Sequence, residues 1–126
     1  MAKGEVPAEI RRFILTTIPS VPYLEAVLLL RAEPDHAWDA SLLARRLYVG
    51  ERTAAELLAL LTAAGVASAQ AGVAGVRYAP APEVASLFDQ VALAYATDLV
   101  AITDLIHSRI DKRAQQFADA FRFRKE

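Results

Sequence analysis

Apolar residues recur along this chain first at helical spacing, then in short alternation, then at helical spacing again. In "VPAEIRRFILTTIPS", Ile10, Phe13, Ile14 and Ile18 fall three and four apart. That is one stripe of a helix over 7–18, opened by Pro7 and stopped by Pro19. Ser20 is placed to cap the next helix, "VPYLEAVLLLRAE", which is apolar on most sides and is expected at the centre of a core. It ends before Pro34. Trp38 precedes Asp39, a second cap, and "ASLLARRLY" turns Leu42, Leu43 and Leu47 inward, with Trp38 packed as a staple at its start. Val49-Gly50 makes a turn, "ERTAAELLALLTAAG" forms the next helix, and Gly65 closes it.

The period then changes. "VASAQ" and "VRYAP" flank a glycine-bearing loop, which predicts a two-stranded hairpin. Two strands alone are marginal in water, so the hairpin must lie against helices. From Pro82 to about His107 the helical period returns, with Val84, Leu87, Phe88, Val91, Tyr95, Leu99, Ile102, Leu105, Ile106 and Ile110 forming a stripe too wide for one buried face. An unbroken helix there would run roughly 40 Å, longer than a small domain is wide, so its far end is expected against a second copy of the chain. Asp111 is placed to cap a last helix, "KRAQQFADAFRF", with Phe117, Phe121 and Phe123 inward.

Composition narrows this to one mainly α domain over 1–126: a helix at 7–18, a core at 20–80 and C-terminal helices at 82–126. Hydrophobic residues make up 55% of the chain and charged ones only 23%, which argues against disorder. There is no cysteine, so disulfides and thiolate metal sites are excluded. No segment reads as membrane-spanning and the N-terminus lacks an apolar signal core, so a cytoplasmic protein is expected. Net charge is −1, and up to Pro80 eight basic residues meet eight acidic ones. Phosphate neutralisation supplies much of the affinity for DNA, so this balance leaves only local patches to hold it.

The order helix, helix, turn, helix, hairpin is that of a winged helix-turn-helix. "LARRLYVGERTAAELLALLTAAGV" resembles the reading unit of the multiple-antibiotic-resistance and arsenic-repressor types of bacterial regulator. The points of match are Leu43, Ala44, Leu47, Val49, Thr53, Leu58, Leu61 and the ending Ala64-Gly65-Val66. The resemblance implies a dimeric transcriptional regulator that lays the second helix of this unit in the major groove of double-stranded DNA. On that reading Arg45, Arg46, Arg52, Thr53 and Arg77 contact DNA, with Arg52 reading bases and Arg77 gripping phosphate from the wing. It also implies a homodimer held by the terminal helices, through Ile10, Phe13, Leu99, Ile102 and Ile106.

The sequence departs from the family where the groove would be read. Gly50, Glu51, Ala55, Glu56, Leu57, Ala59 and Leu60 stand at outward positions, and Glu56, four residues after Arg52, is spaced to pair with it. Tyr48 occupies a turn position commonly held by glycine, which costs little where the backbone is not left-handed. The arginines could equally form a solvated face paired with Glu9, Asp39 and Glu51. A second reading follows: Leu57 and Leu60, exposed together, would make the helix a protein-interaction surface.

Other chemistry is sparse. Asp104, His107 and Asp111 share one side of a helix, a thin candidate for a metal. His36 is expected in a loop. No nucleophile–histidine–acid constellation, phosphate loop or nucleotide motif is present, so neither enzymatic activity nor a cofactor is expected. "FRFRKE" is basic and aromatic, suited to nucleic acid or a membrane surface, and is expected first as a frayed tail whose phenylalanines dock on the body.

Overall fold

In a computed structural model, residues 6–108 are described. The described chain is mainly helical, with one small antiparallel sheet. The elements are α1 (Ala8–Thr17), α2 (Val21–Ala32), α3 (Ala40–Leu47), α4 (Glu51–Ala63), β1 (Ala67–Ala69), β2 (Val76–Tyr78), α5 (Pro82–Thr97) and α6 (Leu99–Ser108). They fall into two compact units, one from residues 1–21 with 89–126, the other Pro22–Phe88. Asp111, the last helix predicted after it and the "FRFRKE" tail lie outside the described residues.

In the Pro22–Phe88 unit, α2 is buried at Tyr23, Leu24, Ala26, Val27 and Leu30. Such placement on several sides is what an apolar helix with little amphipathicity demands. Burial raises the pKa of the Tyr23 phenol, because its charged form would lose hydration. Asp39 caps α3, its Oδ1 accepting from the Leu42 N–H at 2.8 Å. Trp38, just before the cap, is fully buried.

Trp38 also joins the sheet. β1 pairs with β2 in the register Ala67↔Tyr78, Ser68↔Arg77 and Ala69↔Val76. On the other edge of β2, Trp38 and Val76 exchange two backbone hydrogen bonds, each 2.8 Å. The hairpin is thereby tied to the loop between α2 and α3, which supplies the support that two strands lack alone. Gly75 is the residue that permits this approach. A Cβ there would lie 2.5 Å from the Trp38 carbonyl oxygen, and the backbone φ is +94°.

The other unit contains α1, the second half of α5 and α6, and here the expectation of one unbroken C-terminal helix fails. The chain bends by 115° between α5 and α6. Asp98 makes the corner: its Oδ1 accepts from the Ala101 N–H at 3.0 Å, starting a new helix. Just before it, the Thr97 hydroxyl donates to the Leu93 carbonyl at 2.7 Å. The length argument for a second copy therefore falls away. Ile10, Ile102 and Ile106, expected at a subunit interface, are buried within the chain and are not available to a partner. Phe13 is half-buried, and of the five expected interface residues Leu99 alone is widely exposed, at 54%. No single helix among the described residues is long and apolar enough to cross a membrane.

Candidate functional site

Among the described residues, exposed Arg45, Tyr48 and Arg52 come together where α3 turns into α4, inside the Pro22–Phe88 unit. Three residues, Tyr48, Val49 and Gly50, join the two helices. Leu43 and Ala44 are buried on α3, and Ala54, Leu57, Leu58 and Leu61 on α4. Residues at i, i+3, i+4 and i+7 share one face, so Leu57 belongs to the packing stripe begun by Ala54. Leu57 is 6% exposed, which corrects its expected place on the outer surface; Leu60 alone points outward, at 51%. The two do not form a common apolar patch.

The five arginine and threonine candidates separate into two groups. Arg45, Arg52 and Thr53 are exposed around the turn. Arg45 has no ion-pair partner among the described residues, and its position in the last turn of α3 also complements that helix's dipole. Arg52 pairs with Glu56 at 3.5 Å, as the four-residue spacing suggested. Both side chains are largely in water, where such a pair contributes little and opens easily. Glu51 and Glu56 leave the exposed face of α4 with one base against two acids.

Arg46 is exposed as well but makes contacts within the chain, and Arg77 is half-buried. The Arg46 guanidinium lies 3.2 Å from Glu33 and 5.4 Å from the centroid of the Trp38 ring. His36 meets the same ring edge-on, with centroids 5.1 Å apart. This cluster clamps the end of α3 to the loop after α2, and Glu33 neutralises the charge that a phosphate would want. Arg77 is half-buried on β2, with its Nε enclosed and without a hydrogen-bond partner. Its position opposite Ser68 puts it on the strand, not at the exposed tip of the loop.

Sequence reasoning missed the geometry of Tyr48. Its backbone is left-handed, with φ 58° and ψ 45°, the condition under which a side chain there is costly. For an L-residue that conformation costs about 1 kcal/mol relative to glycine. The ring is 95% exposed. With Ser41, Ala44, Arg45, Val49 and Glu51 it borders an open groove of about 480 Å³. The signal was a tyrosine standing one residue past a helix end, where left-handed backbone is common.

Elsewhere, Asp104 and His107 are exposed on α6, and no group of three or more histidine or acidic residues suited to a metal occurs among the described residues. Comparison with protein-family models, with curated proteins and with solved structures finds no match for this chain.

Proposed function

We propose that Pro22–Phe88 is a winged helix-turn-helix and that the chain is a transcriptional regulator binding double-stranded DNA as a homodimer. The carrying observation is the unit of α3, a three-residue turn and α4, followed by a hairpin tied back to Trp38. Arg45, Arg52 and Thr53 stand exposed around its turn. A recognition helix enters the major groove by its N-terminal residues, and here those are Glu51, Arg52 and Thr53. Arg45, at the end of α3, serves as the phosphate contact. Leu93, Leu99 and Val100 are exposed around the α5–α6 corner and are the apolar surface on which two copies would meet.

The test is titration of a labelled duplex with wild-type protein and three variants. Arg45→Ala should weaken binding to all sequences alike and lower the salt dependence by about one phosphate. Arg52→Ala should relax base preference at one position. Glu56→Gln should tighten binding several-fold, because it releases Arg52 and removes an acid from the groove-facing side. A Glu56→Gln variant no tighter than wild type would speak against α4 as the DNA-facing helix.

A second reading has its own observation. The exposed face of α4 carries Ala55, Ala59 and a 51% exposed Leu60 among two acids and one base, a composition more usual for a protein contact than for a groove. In that case Leu60→Lys abolishes capture of the partner, and duplex affinity is absent at any salt.

A further inference from the structure

Helices α3 and α4 end in the same way. The Val66 N–H reaches back to the Leu61 carbonyl at 2.9 Å, and the Val49 N–H reaches back to the Ala44 carbonyl at 3.1 Å. Each closure needs one left-handed residue just before the donor. At the end of α4 that residue is Gly65, with φ 78° and open space where a Cβ would stand, so glycine is there for its backbone alone. At the end of α3 it is Tyr48. The same local motif therefore carries its usual residue once, and a bulky L-residue once.

Among the described residues, nothing offsets that choice. A ring that is 95% exposed gains almost no packing, and glycine would close α3 more comfortably. Strain kept at a surface position points outward, to a contact made with another molecule. Beside the ring, on the same open groove, is Arg45, an exposed cation with no ion-pair partner among the described residues. Glu51 lines the same groove, and its carboxylate disfavours an anion in its own neighbourhood, so the favourable place for one is at the Arg45 guanidinium. A flat amphipathic ring with a terminal hydroxyl, next to a free guanidinium, suits one kind of occupant. The ring face covers an apolar deoxyribose, the hydroxyl donates to a phosphate oxygen, and Arg45 neutralises that phosphate.

We propose that Tyr48 is held in its unfavourable conformation because, together with Arg45, it grips the sugar–phosphate backbone of duplex DNA at the α3–α4 turn. This rests on the DNA-binding reading and adds a residue and a geometry to it. The turn, not the hairpin, becomes the main backbone anchor.

The experiment compares full-length wild type with Tyr48→Gly, Tyr48→Ala and Tyr48→Phe for melting temperature and for affinity to one labelled duplex at low salt. Tyr48→Gly should melt higher, by on the order of 3–6 °C, as the strain is relieved. It should bind the duplex about tenfold more weakly. Tyr48→Ala keeps a side chain on the left-handed backbone, so it should lose the affinity without gaining the stability. Tyr48→Phe should keep the ring contact and lose about two- to threefold. A Tyr48→Gly protein that is more stable and binds as tightly as wild type overturns the role of Tyr48 while leaving DNA binding in place. A Tyr48→Gly protein with no gain in melting temperature overturns the premise of strain. Wild type that binds no duplex removes the DNA reading and this inference with it, and then the ring's contact is a protein.

Discussion

Gly75 and Gly72 sit three residues apart in one loop and both have positive φ, yet their substitution should differ in kind. At Gly72 a Cβ meets nothing within 4 Å, so only the backbone conformation resists a side chain. At Gly75 a Cβ would collide with the Trp38 carbonyl, 2.5 Å away, and that carbonyl is fixed by its hydrogen bond from Val76. Gly72→Ala should therefore cost about 1 kcal/mol, and Gly75→Ala about 3 kcal/mol, by urea denaturation. Equal costs would contradict the placement of Trp38 against β2. At this scale the sequence was partly legible. Both glycines read as hairpin residues, but the approach of a segment 37 positions earlier leaves no local trace. The Arg52–Glu56 pair was legible for the opposite reason, because four residues on a helix is a local distance. Arg46 was not, since its partner Glu33 comes from another element.

Between residues and the whole chain, periodicity located α1 to α4 and both strands because each is bounded by residues with distinct end chemistry: Pro7, Pro19, Asp39, Gly65 and Pro82. It did not locate the corner at Asp98. Tyr95, Leu99 and Ile102 keep their four- and three-residue spacing straight across the break, so the apolar pattern gives no sign of it. The only sign is polar, the pair Thr97-Asp98, and it was outweighed by the stripe. Asp98→Ala should lower stability by about 1 kcal/mol through loss of the cap on α6, and Asp98→Asn should retain most of it. Urea midpoints unchanged in Asp98→Ala would mean that the corner is set by packing and not by the cap. A similar limit explains Leu57: of the positions expected to face outward around α4 it alone is buried, in the stripe with Ala54, Leu58 and Leu61.

For the whole molecule, the gap between fold and function comes from electrostatics. A net charge of −1 gives no long-range attraction to a polyanion, so the proposed binding rests on a few well-placed groups, doubled by the proposed two-fold axis. Of the candidate cations, Arg46 is tied to Glu33 and Trp38, and Arg77 is half-buried; Arg45 and Arg52 with Thr53 remain, joined on this account by Tyr48. Only the two arginines carry charge, so a dimer neutralises about two phosphates through Arg45, and about four where Arg52 also meets the backbone. The measurement that tests the account most directly is fluorescence anisotropy of the full chain against a labelled duplex, titrated over a range of salt. A dimer bound through this turn predicts a fall in affinity with a log–log slope of roughly −2 to −4. Binding that is absent even at low salt, or that is indifferent to salt, would contradict it and leave α4 as a surface for another protein.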